Sequence, residues 1–363
     1  MNLVRLKTKL INSYMTKHLY IHLPFCKNIC SYCDFVRIQQ TNPNVHKAYL
    51  DLILNEVKNS SSLHQYSTIY LGGGTPNVLN DANLNYLLSN LINYLDTNTD
   101  YEFCIELNPD SVTQSQVAIL KQNKINRVSL GVQTTNDAIN LFLHRYSKMS
   151  EVIQAIKWLR MVGITNISCD FMYNLPLLTI SDLDNAFKFI KQYNLPHVSF
   201  YALELKPNSV LTKQAYQLNQ DGEQDQYAYI NQKLQELGYE RYEVASYTNC
   251  KQYSKHNLAY WLNEDWKGIG SGAYGFENEH YYSYLPNFTK LIKQDEQYTK
   301  KDLYQHLLIM GLRTKFGLDL SIKNHHDAYL YFYDQLKNYT HIENNHLIIN
   351  QIDFLDDCLM QII

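Results

Sequence analysis

The chain has 363 residues, 45% of them hydrophobic, enough for one large core with a smaller appendage, since single cores stop growing near roughly 250–300 residues. A formal net charge of −3 gives no electrostatic reason to expect a nucleic-acid partner. No apolar run reaches the length of a bilayer span and no signal-peptide pattern opens the chain, so a cytoplasmic protein is expected.

The opening MNLVRLKTKLINSYMTKH is basic and lacks acids. Residues 1–17 are expected to be a short extension rather than a targeting helix, with Met15 a candidate natural start. The first β-rich run, HLYIHL at 18–23, leads into Cys26, Cys30 and Cys33, spaced C-x3-C-x2-C. A structural zinc site takes four protein ligands, whereas an iron–sulfur cluster held by three thiolates leaves one iron open. His22 offers a Cys3His zinc alternative, but it sits in an apolar strand pattern and reads more simply as a packed residue. Cys104, Cys169, Cys250 and Cys358 are scattered singly, which argues against a disulfide framework.

Further β-rich runs follow at 67–71, 101–107, 126–130, 167–172 and 197–203, separated by helical spacings such as Val152, Ile153, Ile156 and Leu159 before Gly163. Six strand–helix units predict a parallel α/β arrangement, either an open doubly wound sheet or a partial barrel, and periodicity does not choose between them. In α/β barrels the reactive residues gather where strands end. Here Gly72, Gly73, Gly74, Thr75 and Pro76 follow the second run and Glu106 ends the third. Gly131 and Gln133 follow the fourth, Asp170 lies in the fifth, and Ala202 and Glu204 close the sixth. Three consecutive glycines let backbone groups approach a ligand, although alone they equally describe a tight turn. Taken singly, Glu106 and Asp170 also read as helix N-caps, and Arg145 as a surface cation.

Downstream, His256-Asn257-Leu258-Ala259-Tyr260-Trp261 sets His256 and Tyr260 on one helical face; alone it equally describes a histidine beside packing aromatics. The stretch DLYQHLLIMGLRTKFGLDL predicts a helix ending near Gly317, followed by a helix around AYLYFYDQL and a strand pair around HIENNHLIIN. Residues 319–363 hold two lysines and no arginine against seven acids, the wrong sign for a winged-helix DNA reader. His325, His326, His341 and His346 are read as solvated loop histidines.

These motifs carry a resemblance. C-x3-C-x2-C with an aromatic before the third cysteine resembles the cluster motif of the radical S-adenosylmethionine (SAM) superfamily. ELNPD, SLGVQ, LHRYS and DFMYNLP recur in this order in its oxygen-independent coproporphyrinogen III oxidase branch, and the likeness runs from about Tyr20 to the C-terminus. The resemblance implies a partial (β/α)6 barrel over residues 18–245 and a small, mostly helical accessory domain over 246–363. It implies a [4Fe–4S] cluster on Cys26, Cys30 and Cys33, with Tyr32 beside it and a fourth iron that binds SAM. Carried over motif by motif, Tyr20, Gly73, Gly74, Thr75, Glu106, Gln133, Arg145, Asp170 and Ala202 would contact SAM, which such a protein is able in principle to cleave.

Within that branch the oxidase, which decarboxylates coproporphyrinogen III to protoporphyrinogen IX, carries another cysteine two residues after the third cluster ligand. Phe35 stands there instead, as in the sister group of HemW-type heme chaperones. The H-N-x-x-Y-W hexapeptide resembles that group's heme-binding signature, with His256 the candidate iron ligand. The resemblance implies heme as cargo and delivery to heme-dependent proteins, membrane respiratory enzymes among them, with transient contact at the membrane surface. It assigns no catalytic residue.

Overall fold

The structure is a computed structural model that describes residues 16–363, so the expected N-terminal extension lies, but for its last two residues, outside the described residues. Six strands run parallel in sequence order: β1 (His18–Leu23), β2 (Thr68–Gly73), β3 (Glu102–Leu107), β4 (Arg127–Gln133), β5 (Asn166–Tyr173) and β6 (His197–Ala202). Between them lie α1 (Pro43–Ser60), α2 (Asp81–Leu91), α3 (Gln114–Gln122), α4 (Asp137–Phe142), α5 (Met149–Met161) and α6 (Ile180–Gln192), and α7 (Gln220–Glu236) follows β6. Asn42, Asn80, Thr113, Asn136 and Thr179 start α1, α2, α3, α4 and α6 by accepting a backbone N–H on their side chains. This is the partial (β/α)6 barrel of the sequence reading.

Strand periodicity gives the sheet two unlike faces. Leu19, Ile21, Ile69, Leu71, Phe103, Ile105, Val128 and Leu130 belong to one buried core with helix residues such as Leu50, Ile53, Leu87 and Ile156. The alternate positions point the other way, and they are polar or aromatic: His18, Tyr20, Thr68, Tyr70, Glu102, Glu106, Ser129 and Asp170. In register, Tyr20 lies beside Tyr70, Glu106 beside Ser129, and Asp170 beside Ser199. The barrel therefore carries its chemistry on the inside and its packing on the outside.

Later segments extend the sheet at both edges. β7 (Glu240–Arg241) and β8 (Ser246–Thr248) add antiparallel strands beyond β6. After α8 (Lys255–Trp261), β9 (Trp266–Ile269) runs parallel to β1, and β10 (Tyr274–Glu277), β11 (His280–Tyr284) and β12 (Lys293–Asp295) continue antiparallel. The sheet thus has twelve strands, and it continues unbroken past residue 246, where the accessory domain is expected to begin. A separate apolar core forms only later, around Tyr304, Leu308, Leu312, Leu347 and Leu355.

That core holds α9 (Lys300–Gly311), β13 (Leu318–Asp319), α10 (Lys323–Tyr331), β14 (Thr340–Glu343) and β15 (His346–Ile349). The helix expected to reach Gly317 stops at Gly311. A Cβ there would lie 2.7 Å from a Leu318 methyl, so the chain folds straight back into β13. His325 is also corrected: it is buried on α10, and its Nδ1 meets the Asp319 carbonyl at 2.9 Å. No described helix is long and apolar enough to cross a membrane.

Candidate functional site at the barrel mouth

The cysteine loop leaves β1 and is clamped to the glycine turn after β2. Gly74 N–H donates to Leu23 O at 2.8 Å and Thr75 N–H to Phe25 O at 2.7 Å. The Thr75 hydroxyl lies 3.7 Å from the Cys26 sulfur. A Cβ on Gly74 would sit 2.7 Å from Phe25 O, and one on Gly73, whose φ is +110°, would strike the His22 ring at 2.6 Å. Glycine is required because two backbones and an imidazole occupy the space. His22 itself is committed, with Nε2 on Val36 O at 2.7 Å and Nδ1 on the Tyr20 hydroxyl at 3.0 Å. His22 is therefore not directed at the cysteines, and among the described residues no three His, Cys, Asp or Glu side chains, the three cysteines included, are grouped as ligands of a single metal ion.

The opposite wall comes from β3, β4 and the α4–α5 connection. Arg145 is buried, and its Nη2 donates to Asn108 Oδ1 at 2.5 Å and Gly131 O at 2.6 Å. Its Nη1 lies 3.9 Å from the Cys30 sulfur and 3.5 Å from the Tyr32 hydroxyl. Gln133, at φ +66° beside the irregularity in β4, brings its amide next to Gly131 and Arg145. Arg37 reaches the Phe35 carbonyl at 2.7 Å and also binds the Cys33 carbonyl. The Nε groups of Arg37 and Arg145 are both buried without a hydrogen-bond partner. Neither guanidinium forms an ion pair with a carboxylate among the described residues. Two uncompensated cations beside three free thiols fit an anionic thiolate-held cluster. Burial raises the Cys26 thiol and lifts Cys33 to about 11, so both are protonated at neutral pH.

Deeper in, Glu106 accepts from the Tyr70 hydroxyl at 2.8 Å and from Gly73 N–H at 3.2 Å. Burial, with Asp170 adding a like charge, pushes its carboxyl up to about 7. Asp170 accepts from Ser129 at 2.5 Å and Ser168 at 3.0 Å, and burial raises it as well. Ala202 closes β6 in register with Tyr173, whereas Glu204 turns outward to an exposed pair with Lys206. The mouth thus gathers the three cysteines, Tyr32, Gly73, Gly74, Thr75, Glu106, Gln133 and Arg145. Sequence reading singled out neither Arg37 nor Asn108, although Asn108 lies within ELNPD; their roles depend on contacts with Cys33 and Arg145.

His256 is elsewhere. It sits on α8 against the strand starts, 1% exposed, with Nδ1 2.7 Å from the Thr68 hydroxyl and Nε2 2.6 Å from the Tyr260 hydroxyl. Its ring stacks on Tyr70 at 5.1 Å. The Glu102 carboxylate accepts from the backbone N–H groups of Lys255 and His256 at 3.0 and 2.9 Å, pinning α8 to the barrel floor. Burial, with His18 alongside, pushes the imidazole well below its usual range. Both ring nitrogens of His256 are thus engaged, one with Thr68 and one with its own helix neighbour Tyr260.

Comparisons with known proteins agree with the geometry. The Radical SAM superfamily model matches residues 20–190. Coproporphyrinogen III oxidase (HemN) from Escherichia coli superposes with a TM-score of 0.77, over 100% of this chain and 93% of that one, at 18% identity, a likeness of fold. The barrel and its cysteine loop are those of a radical SAM protein. Heme chaperone HemW of Lactococcus lactis is 33% identical over 82% of each chain. The same protein of Bacillus subtilis is 30% identical over 83% of this chain and 84% of that one. That of E. coli is 31% identical over 71% and 69%. The chain belongs to the heme chaperone HemW family.

Proposed function

We propose that Cys26, Cys30 and Cys33 hold a [4Fe–4S] cluster, that SAM occupies the mouth above it, and that the protein binds heme and passes it to heme-dependent proteins, membrane respiratory enzymes among them. The observation that carries the mouth assignment is the clamp itself: Thr75 and Arg145, from opposite walls, each approach a cluster cysteine. When bound and reduced, the cluster supplies the electron that can cleave SAM. The chain's own groups do the placing. Gly73, Gly74 and Glu106 would hold the ammonium of SAM and Arg145 and Gln133 its carboxylate, with Tyr20 and Asp170 on the inner face of the strands and Ala202 at the end of β6 around them. Family membership supports heme as cargo.

The oxidase reading is the alternative, and Phe35, 62% exposed where the oxidase motif carries a thiol, weighs against it. Protein reconstituted anaerobically with iron and sulfide is expected to hold about four irons per chain, change its cluster EPR signal on SAM addition, take up heme and release it to an apo-acceptor. Absence of heme uptake overturns the chaperone reading. Conversion of coproporphyrinogen III to protoporphyrinogen IX would install the oxidase.

A further inference from the structure

Arg37 is a cation that the SAM contacts do not use. Its Nη1 donates to the Phe35 carbonyl at 2.7 Å and its Nη2 to the Cys33 carbonyl, so the guanidinium folds back over the end of the cysteine loop. Its Nε–H is buried without a partner, and it forms no ion pair among the described residues. Burial raises the thiols of Cys26 and Cys33, and at both the Arg37 charge opposes it. Arg145, on the opposite wall, approaches the third cysteine, with Nη1 3.9 Å from the Cys30 sulfur.

The backbone under Arg37 is held on both sides. His22 Nε2 donates to the Val36 carbonyl at 2.7 Å, and Ile38 N–H donates to Pro24 O at 2.7 Å. Phe25 and Cys26 pair in parallel with Ile38 and Gln39, which brings this stretch back alongside the first cysteine. Val36 packs on Gly272, where an added Cβ would lie 2.5 Å from its own. A charge fixed in this way needs little reorganisation when the charge beside it changes.

Iron–sulfur potentials are set by net charge, hydrogen bonds to the sulfurs and exposure to solvent. Three thiolates and an oxidised [4Fe–4S] core carry a single net negative charge, and one electron from a low-potential one-electron donor doubles it. An unpaired guanidinium beside them favours the more negative state, and its spare N–H is a donor that a sulfur can accept.

We propose that Arg37 is a positioning residue that raises the reduction potential of the cluster, through its charge rather than by bracing the loop. The inference rests on the cluster reading above and adds the group that makes the cluster reducible. It divides the two guanidiniums: Arg145 serves SAM, and Arg37 serves the iron–sulfur couple.

The test is a redox titration of the reconstituted full chain, followed by the EPR signal of the reduced cluster. Arg37→Gln removes the charge. It is expected to lower the reduced-to-oxidised ratio about threefold to tenfold at a given potential, a midpoint more negative by about 28–59 mV at 59 mV per tenfold for one electron. Arg37→Lys keeps the charge and is expected to return most of the way to wild type, with iron and sulfide content unchanged in both variants. A glutamine variant with a full cluster and a wild-type midpoint overturns the role. So does a lysine variant shifted as far as the glutamine one. Should the glutamine variant take up no iron, the lysine variant decides: wild-type iron content and midpoint keep the charge as the cause, whereas loss of iron there too makes Arg37 a brace of the loop and overturns the proposal. A wild-type chain that assembles no cluster overturns the cluster reading itself.

Discussion

The mouth and the floor of the barrel are built from the same strands, yet they treat polar groups in opposite ways. At the mouth, three thiols are free, Arg37 and Arg145 keep unpartnered Nε groups, and Glu106 is held near 7. At the floor, Glu264, His18, Thr68, His256 and Tyr260 form one continuous hydrogen-bonded chain with spacings of 2.6–2.9 Å. Buried groups left unpaired cost free energy unless a ligand completes them, whereas a satisfied network stiffens what it joins. The mouth concentrates unpaired polar groups; the floor holds the barrel and α8 together.

The sharpest separation comes from the cluster ligands. Cys26→Ala is expected to bring iron and sulfide after reconstitution down to background, because two thiolates do not hold a cubane. Heme uptake should survive, since the floor that carries the H-N-x-x-Y-W helix is untouched. Loss of both together would mean that the two regions fold as one unit and would break the comparison.

The floor is challenged at Glu102, whose buried carboxylate caps α8 and lies 3.9 Å from the Arg127 guanidinium. Glu102→Ala strands a buried cation and two N–H groups, a change expected to cost about 3–5 kcal/mol. The urea midpoint should fall accordingly. An unchanged midpoint would show that α8 is not pinned there.

The same contrast explains what could be read from sequence. At the mouth, a side chain's identity and its distance from a strand end carry the signal: the cysteine spacing, the glycine run, Glu106, Gln133 and Arg145 all lie in short contiguous motifs. The six strands were legible for a similar local reason, their alternation and β-branched content. The floor is tied to the barrel by distant pairs: His256 with Glu102, 154 residues apart, Thr68 with His256, 188 apart, and His18 with Glu264, 246 apart. No local pattern states that His256 points into a barrel rather than toward solvent. The early end of α9 is likewise tertiary, set by Leu318 packing on Gly311.

A smaller effect at the mouth sharpens the idea that its geometry is backbone-limited. Gly73→Ala forces a side chain into positive φ and against the His22 ring, a strain of about 1–3 kcal/mol. Cluster content should hold while the EPR response to SAM weakens. A normal response would show that the turn yields without disturbing the pocket.

A pH dependence centred on Glu106 tests the charge at the mouth. Burial raises its carboxyl from the ordinary 4.5 to about 7 in the folded chain. A raised carboxyl favours folding most below the unfolded value, and that contribution is lost as pH climbs from about 4.5 through 7. Glu106→Gln, which mimics the neutral acid, should match wild type in stability near pH 4.5 and exceed it above pH 7 by up to about 3 kcal/mol. SAM binding should run the other way. Its ammonium needs the ionised carboxylate, so wild-type affinity should fall by up to about tenfold per pH unit below 7, while the glutamine variant binds weakly at every pH. A flat wild-type profile would place the ammonium elsewhere in the mouth and leave Glu106 as a structural acid joining Tyr70 to the glycine turn.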